Sequence, residues 1–490
     1  MSTSSSSRGD GGGRGGGRGG GGEFEGPSSS RSRRRSSNGV WPEPFVEALA
    51  FRVAIDASTS TGRLAAGQAL LNLFQRPVRK DHAARPADDP STLHCCMRSD
   101  LSIQKKYSTN LGDPKVCSSW RAVSHSELLW HNLTRRIWNI RHLLRNSWHE
   151  EYVYRHRTAN NYQLGRYVYT SLPFVPSDQN NNNDGLACRR LALSDHHLAA
   201  GFSDGSVHLF HLPSRLQLAT FYPQHREDRL GRFSCAVSGI ILSDAQLIFA
   251  TLDGDIYLVV ITGVNPLRRV HLGDIVNDGA LVDFTGCNQR WVGLYAGVPG
   301  RSFHVWSGET EELVFVGGSL TDPEAVMGWH LLNESIDIIG RVRVTSHESA
   351  VACTNIRLMV FDLRNEGIIL GEEEFDRGII VGSFDANNDE SMLIMDMHGN
   401  TSVRRVATLE EVCNFIVTGA AHRGILGSVN GEYALLCVGG VIRVWEIVHG
   451  EYLYSFRERI GECNAFVSDE RHVAACSANA TIHLWDFGAN

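Results

Sequence analysis

Few residues of this chain have the types and spacing that catalysis or metal binding requires. His94, Cys95 and Cys96 are adjacent, but no second pair of metal-ligating residues follows at a suitable spacing, so a non-ligand role is favoured. A phosphate-binding Gly-x-x-x-x-Gly-Lys loop and a His-Glu-x-x-His zinc motif are absent from the sequence. We therefore expect a protein with no catalytic residues, no metal and no cofactor, which is not an enzyme.

Two short acidic segments are better candidates for a binding surface. Asp274 and Asp278 lie in one segment, and Asp322 and Glu324 lie in another. If both segments lie at the mouth of a rigid scaffold, they would favour a basic or polar segment of a target protein. The alternative is that these four residues are ordinary turn and helix-cap residues.

The elements that would position these segments are β-hairpins. Residues 472–487 form two apolar runs joined by three small or polar residues, which suit a tight turn. Similar hairpins recur upstream, two of them across Asp-Gly turns at residues 204–205 and 253–254. The residues that close the second strand of each copy are spaced by 40 to 55 positions and are Phe210, Val259, Trp306, Phe361, Arg404, Trp445 and Trp485.

This period resembles that of WD-repeat proteins, whose four-stranded blades form a β-propeller. The dipeptide typical of that family occurs at Trp485-Asp486. Seven copies predict seven blades, with six or eight as alternatives because Arg404 places a charge at one anchor. The last copy has no chain left for a fourth strand, so we expect residues 166–174 to pair with it and close the ring. The propeller is placed at residues 166–490.

The region before the repeats has a helical pattern. Apolar residues at helical spacing predict helices over residues 45–53 and 62–74, whereas residues 76–115 lack sustained periodicity and predict a flexible insert. The pieces on either side of the insert resemble an F-box, which opens with a hydrophobic-Pro pair and ends with Val-Cys-x-x-Trp-Arg and Ser-x-x-Leu-Trp steps. We place this small α-helical domain at residues 39–138 and a helical linker at residues 139–165.

The resemblance to F-box/WD-repeat proteins implies the substrate receptor of a Skp-cullin-F-box ubiquitin ligase. The helical domain would bind a Skp-type adaptor, which connects to a cullin and a RING protein, and the propeller would bind a target protein, a nuclear regulator, to promote its ubiquitination and degradation. The residues expected to contact the adaptor are Trp41, Pro42, Phe45, Val116, Cys117, Trp120, Leu129 and Trp130. Within this family the chain is similar to a plant regulator of flower and organ growth. The alternative is a nuclear WD-repeat scaffold or transcriptional regulator that acts without ubiquitin transfer.

Residues 1–38 consist almost entirely of Ser, Gly and Arg and predict a disordered tail. The tail carries a net charge of +4 and the rest of the chain −11, which gives the total of −7. An acidic body disfavours nucleic-acid binding, except weakly through the tail. The basic cluster predicts a nuclear-import signal, with RNA contact or a solvated linker as alternatives. Its residues are Arg31, Arg33, Arg34 and Arg35.

The composition is that of a globular protein. The chain has 490 residues, 42% hydrophobic and 21% charged, which is enough for two or three domains. No apolar run approaches the roughly 18 residues of a membrane span, and the N-terminus lacks the apolar core of a signal peptide. Eleven cysteines without a Cys-x-x-Cys pair predict reduced thiols. We therefore expect no membrane association and a location in the nucleus, with the cytoplasm as a second location.

Overall fold

The computed structural model describes most of the chain from residue 43 onward. The described residues are 43–75, 122–140, 143–173, 186–224, 230–231, 233–263, 266–318, 340–345, 349–354, 357–365, 367–375, 381–387, 391–419 and 425–489. The predicted tail and insert therefore lie outside the described residues. The same holds for these predicted site residues: Arg31, Arg33, Arg34, Arg35, Trp41, Pro42, Val116, Cys117, Trp120, Asp322 and Glu324.

Among the described residues, four helices precede the strands, and a one-turn helix lies among the strands. Their bounds are α1 Glu43–Thr61, α2 Arg63–Gln75, α3 Glu127–Trp138, α4 Trp148–Gln163 and α5 Ile275–Asp278. Gly62, at φ +89°, provides the left-handed conformation that separates α1 from α2. Ser126 and Ser147 cap α3 and α4, because their hydroxyl oxygens accept hydrogen bonds from the backbone N–H of Leu129 (3.3 Å) and Glu150 (3.1 Å).

The first four helices enclose one apolar core, and we call them the helical bundle. Val46, Ala50 and Ala54 of α1 recur every fourth residue and are fully buried, so the small alanines allow close approach of the neighbouring helices. The buried residues of this core are Val46, Ala50, Ala54, Ala66, Leu70, Val123, Leu129, Trp130, Leu133, Ile137, Trp138 and Tyr152. The core thus combines residues on both sides of the predicted insert. None of the described helices is long and apolar enough to cross a membrane.

The rest of the described chain is mainly β. After β1 Val168–Leu172, the strands follow one another in antiparallel units that we call meanders. Meander 1 consists of β2 Cys188–Leu193, β3 His197–Phe202, β4 Val207–His211 and β5 Leu216–Phe221. Meander 2 consists of β6 Val237–Leu242, β7 Gln246–Thr251, β8 Ile256–Val260 and β9 Arg268–His271. Meander 3 consists of β10 Ala280–Gly286, β11 Arg290–Ala296, β12 Phe303–Ser307 and β13 Leu313–Gly317. Meanders 2 and 3 join into one eight-stranded sheet through a parallel bridge between Gly239 and Phe284.

The remaining strands form four separate four-stranded sheets. Meander 4 is β14 Gly340–Val344, β15 Ser349–Thr354, β16 Arg357–Asp362 and β17 Ile368–Glu374; meander 5 is β18 Val381–Ala386, β19 Ser391–Asp396, β20 Asn400–Arg405 and β21 Glu411–Ile416; meander 6 is β22 Leu426–Asn430, β23 Tyr433–Val438, β24 Val441–Glu446 and β25 Tyr452–Ser455; meander 7 is β26 Cys463–Ser468, β27 His472–Ser477 and β28 Ile482–Asp486. Meander 7 has three strands of its own, and β1 supplies the fourth.

The meanders form a closed ring. The first strand of each meander contacts the first strand of the next, in the order β2, β6, β10, β14, β18, β22, β26 and back to β2. We call these the inner strands. β1 pairs antiparallel with β28, from Val168 opposite Asp486 to Leu172 opposite Ile482. The segment before the first repeat therefore completes the last sheet of the ring, as the sequence predicts for residues 166–174.

The anchor residues of the sequence repeat occupy equivalent places. Each lies in the third strand of its meander, one residue before the strand ends. Trp306 and Trp485 are fully buried there, and Trp445 is 5% exposed. Arg404 is tolerated at the same place because its guanidinium pairs with Glu373. A charged anchor is thus compatible with the repeat.

Candidate binding site between the helices and the ring

A cavity of about 530 Å³ lies between the helical bundle and one face of the ring. The ring contributes turns that join inner strands to the second strands of their meanders, at residues 194–195, 243–245, 288, 430–433 and 469–472. The bundle contributes one side of α4 and the start of α2. A cavity of this volume can bind a small molecule or a few side chains of a protein partner.

Ion pairs hold the helices against the ring beside this cavity. Glu470, in the turn between β26 and β27, pairs with Arg63 of α2 at 2.6 Å and with Arg155 of α4 at 3.1 Å. Arg155 also pairs with the buried Glu151 at 2.7 Å. Glu432 of the neighbouring turn accepts a hydrogen bond from the backbone N–H of Arg63 at 2.5 Å, and burial raises its pKa. One carboxylate of the ring therefore connects two helices.

Replacing Glu470 by glutamine should lower the free energy of unfolding by about 1 to 2 kcal/mol, because two partly buried charged hydrogen bonds weaken together. The replacement should also speed amide hydrogen exchange in α2 and α4. The control is Glu374→Gln, whose side chain is 74% exposed in its pair with Arg357, and which should cost less than about 0.5 kcal/mol. Equal losses in the two variants would show that Glu470 does not fix the helices.

Tyr154 of α4 lines the cavity with a hydroxyl that lacks a hydrogen-bond partner among the described residues. Its side chain is buried, and the guanidinium carbon of Arg145 lies 4.0 Å from the centre of its ring. By contrast, Tyr162 lies about two helical turns further along α4. Its hydroxyl accepts a hydrogen bond from the side-chain amide of Asn430 at 2.8 Å. The cavity wall thus holds one satisfied and one unsatisfied tyrosine hydroxyl.

Replacing Tyr154 by phenylalanine should leave the free energy of unfolding unchanged or raise it by about 1 kcal/mol, because a buried hydroxyl without a partner is a cost to the folded state. The matched variant Tyr162→Phe should lose about 1 to 2 kcal/mol, since it removes one of the two hydrogen bonds that the side-chain amide of Asn430 donates. Chemical unfolding of both variants provides the measurement. A loss at Tyr154 as large as that at Tyr162 would mean that a molecule bound in the cavity satisfies the Tyr154 hydroxyl.

The cavity is rich in charged groups that already have partners. Asp244 accepts hydrogen bonds from Nδ1 of His196 at 2.6 Å and from the hydroxyl of Ser194 at 2.7 Å. Burial would raise the pKa of Asp244, but these hydrogen bonds lower it. Within the described residues no group of three or more His, Cys, Asp or Glu side chains could hold a metal ion. Asp244 is therefore engaged within the ring itself, and among the described lining residues the hydroxyl of Tyr154 is the buried side-chain group without a hydrogen-bond partner.

The predicted acidic residues that the structure describes lie away from this cavity. Asp274 caps α5 by accepting a hydrogen bond from the backbone N–H of Asn277 at 3.1 Å. Asp278 pairs with Arg301 at 2.6 Å, and its side chain is 13% exposed. Both residues precede β10, whereas the cavity lies beyond its opposite end at Asn288. Asp274 is thus a helix cap and Asp278 an ion-pair partner, and their contact with a target protein stays a prediction.

Two residues that the sequence assigns to an adaptor surface lie inside the bundle. Leu129 is 1% exposed and Trp130 is 6% exposed. The indole N–H of Trp130 donates to the backbone oxygen of Ser124 at 2.9 Å. These two side chains are therefore not accessible to an adaptor. The sequence interpretation was wrong for them because apolar residues of a contact surface and of a core have the same helical spacing. Phe45 lies in α1, and its side chain is outside the described part of the structure.

Sequence reasoning did not single out the residues that line the cavity. Arg155 lies in a basic run at the end of the predicted linker helix, and this run was the one available signal. Tyr154 and Glu470 carry no motif, and they meet only because α4 packs across a turn more than 300 residues later in the chain. The site depends on tertiary packing that spacing alone does not show.

The fold and the cavity define a mainly β protein in which a closed ring of antiparallel meanders carries a helical bundle on one face. No protein-family model matches the chain. A relative from Arabidopsis thaliana, the transcriptional regulator Sterile apetala, is 52% identical over 494 residues, covering 100% of both chains. The chain therefore belongs to the Sterile apetala family.

One solved structure also aligns with part of the chain. It is a crystal structure of the computationally designed Ika8 protein, with 14% sequence identity and a TM-score of 0.44, covering 62% of this chain and 98% of the designed one. A likeness at this level supports no assignment of fold or function.

Proposed function

We propose that this protein regulates transcription as a binding scaffold in the nucleus, and that it acts without ubiquitin transfer. The observation that carries the proposal is the 52% identity along the whole chain with a relative named as a transcriptional regulator. By the same resemblance, the regulated process is the growth of flowers and other organs. The sequence has two interpretations, a ubiquitin-ligase receptor and, as the alternative, a nuclear scaffold or transcriptional regulator.

We infer that the ring is a seven-bladed WD-repeat β-propeller. Three observations support this inference: each meander supplies one inner strand to a closed cycle, the anchor residues occupy equivalent positions, and β1 completes the last sheet. A propeller offers a rigid surface on which loops bind partners. The partner would be a protein, bound at the cavity face through polar groups rather than by a catalytic reaction.

Chromatin immunoprecipitation of the tagged full-length chain, combined with transcript profiling after its depletion, tests the scaffold function. We expect enrichment at a defined set of promoters, altered transcription of those genes, and unchanged abundance of the proteins that co-purify with the chain. Arg155 and Arg471 both line the cavity. The double variant Arg155→Gln with Arg471→Gln should lose partners while the control Arg268→Gln retains them. Accumulation of a co-purifying protein after depletion, without promoter enrichment, would contradict the proposal.

The second candidate function is the substrate receptor of a Skp-cullin-F-box ligase. The helical bundle favours it because it has its own apolar core yet exposes Leu128 of α3, 62% exposed, and Leu143 just after α3, 39% exposed. Exposed leucines on a small bundle suit contact with a Skp-type adaptor.

Co-purification of a Skp-type adaptor with the intact chain separates the two candidates. The receptor function predicts an adaptor complex that Leu128→Arg and Trp41→Ala both weaken without loss of folding, and that deletion of residues 41–138 removes. Val448→Arg, at a similarly exposed apolar residue of the ring, is the matched control. No detectable adaptor on the intact chain would exclude the receptor function and leave the scaffold function untouched.

We also propose that the basic cluster of the tail directs nuclear import. Alanine in place of Arg33, Arg34 and Arg35 should shift a fluorescent fusion of the full chain to the cytoplasm. The control replaces Arg8, Arg14 and Arg18 in the same tail. An unchanged nuclear signal in the first variant would contradict the import role.

A further inference from the structure

Four arginines gather on two inner strands of the ring. Arg189 and Arg190 lie on β2, and Arg341 and Arg343 lie on β14. All four surround the carboxylate of Asp283, on the inner strand β10 between them. The inner strand β18 adds one more carboxylate, Asp385. We call the four arginines, Arg189, Arg190, Arg341 and Arg343, the arginine cluster.

The two carboxylates satisfy only two of the four guanidinium groups. Arg190 donates to Asp283 through Nε at 3.2 Å and through Nη2 at 3.0 Å. Arg343 donates to the other oxygen of Asp283 at 3.0 Å and to Asp385 at 2.9 Å. The backbone N–H of Val342 also donates to Asp283, at 2.9 Å. Asp283 therefore has little capacity left for further donors.

The other two arginines lack a hydrogen-bonded carboxylate among the described residues. Arg341 lies 3.6 Å from Asp283, beyond hydrogen-bond distance. The Nε of Arg189 is buried and has no hydrogen-bond partner in the described structure. The remaining oxygen of Asp385 accepts from the hydroxyl of Ser428 at 2.9 Å, so Asp385 offers them no free side. The cluster thus carries four positive charges against two negative ones.

The excess charge persists at neutral pH. Burial and repulsion from Arg190 lower the pKa of Arg341 to about 9, and burial and repulsion from Arg341 lower the pKa of Arg189 to about 10. Both guanidinium groups therefore remain protonated near pH 7. The two arginines without a hydrogen-bonded carboxylate leave buried positive charge uncompensated, at a cost to the fold.

The geometry points to a phosphate-binding site inside the ring, formed by Arg189 and Arg341 at the arginine cluster. Planar guanidinium groups donate paired hydrogen bonds to phosphate oxygens, and a phosphate dianion would neutralise the two excess charges. The side chain of Arg341 is 20% exposed and that of Arg343 is 25% exposed, so a small anion can reach the cluster. The ligand is either free phosphate or a small molecule that carries a phosphate group.

Isothermal titration calorimetry and thermal unfolding of the full-length chain with sodium phosphate test this site. Sodium chloride at matched ionic strength is the reference. We expect saturable binding of phosphate and a melting temperature that rises with phosphate concentration but not with chloride. Sodium tripolyphosphate is the second ligand: tighter binding than phosphate indicates a ligand with several phosphate groups, and equal binding indicates a single group. Absence of saturable binding of both anions to the wild-type chain would overturn the proposal.

Variants locate the binding site. Arg341→Gln and Arg189→Gln should each weaken phosphate binding by about tenfold or more, because each removes a charged hydrogen bond. Their melting temperatures without phosphate should stay equal or rise, since repulsion is relieved. Arg341→Lys keeps the charge and should bind phosphate with intermediate affinity, which provides a folded test if a glutamine variant fails to fold. Arg268→Gln, at an exposed arginine of β9, should bind as the wild type does. Equal affinity in all variants would place the phosphate elsewhere and overturn the assignment.

Discussion

Replacing Asp283 by asparagine should lower the free energy of unfolding by about 3 to 5 kcal/mol at pH 7, because a buried charge is removed from its partners. The Asp283 side chain is 1% exposed and accepts hydrogen bonds from Arg190, Arg343 and the backbone of Val342. Without its negative charge, the arginine cluster would hold four positive charges against Asp385 alone. Urea unfolding of the variant and of the wild type provides the measurement.

The effect should depend on pH in a defined direction. Burial would raise the pKa of Asp283, but Arg190, Arg343 and Arg341 together hold it below its ordinary value of 3.8. A depressed folded-state pKa contributes stability that is present above the unfolded-state pKa and is lost as the pH falls through the folded-state pKa. The difference between wild type and Asp283→Asn should therefore be full at pH 7 and shrink below about pH 4.

The control for Asp283 is Asp56→Asn, at an exposed aspartate of α1 that pairs with Arg52 one helical turn away. It should change the free energy of unfolding by less than about 0.5 kcal/mol. A loss of similar size in both variants would show that Asp283 does not balance the arginine cluster. A loss at Asp283 that persists undiminished in acid would contradict the role of its charge.

Replacing Trp130 by alanine should destabilise the helical bundle by about 3 to 5 kcal/mol, because it opens a large cavity in the bundle core. The indole packs edge-on to His149 and tilted against Tyr152, with ring centres 4.9 Å apart in both pairs. Its N–H donates to the backbone oxygen of Ser124 at 2.9 Å, so the variant also removes this hydrogen bond.

The neighbouring residue Leu128 provides the matched control for Trp130. It lies on the same helix and is 62% exposed, so Leu128→Ala should cost less than about 0.5 kcal/mol. Because the bundle and the ring have separate cores, amide hydrogen exchange of α3 is the sharper measurement. Exchange should accelerate strongly in Trp130→Ala and hardly in Leu128→Ala. Equal exchange rates in the two variants would refute the core role of Trp130.

The sequence predicts the β part of the fold through local signals. The Asp-Gly turns at residues 204–205 and 253–254 occur between strands, with Gly205 at φ +88° and Gly254 at φ +86°. Glycine adopts these positive φ angles without support from contacts elsewhere in the chain, so the residues of the hairpin themselves specify the turn. The anchor spacing then gives the number of meanders, because each anchor belongs to one complete hairpin. Local encoding is the reason why these elements were predictable.

The sites were less predictable because they depend on packing between distant segments. Apolar spacing identifies α3 but does not say whether Trp130 faces a core or a partner. The arginine cluster combines residues 189–190 and 341–343, which share no motif and meet only across the ring. An Arg-x-Arg pair in one strand reads as an ordinary polar face unless the carboxylate of a neighbouring strand is known. The sequence therefore does not show which residues of different meanders are in contact.

The pairing of β1 with β28 has a consequence for the kinetics of folding. Their partners, such as Val168 and Asp486, are more than 300 residues apart in the chain, whereas most other strand pairs join neighbours in sequence. Contacts at large sequence separation bear a greater loop-closure entropy and form slowly. Individual meanders should therefore assemble early. The last sheet should form late, because it requires β1 to pair with β28. Until that step the exposed edges of β28 and β1 remain open to pairing with other chains, which makes ring closure the stage at which aggregation competes with folding.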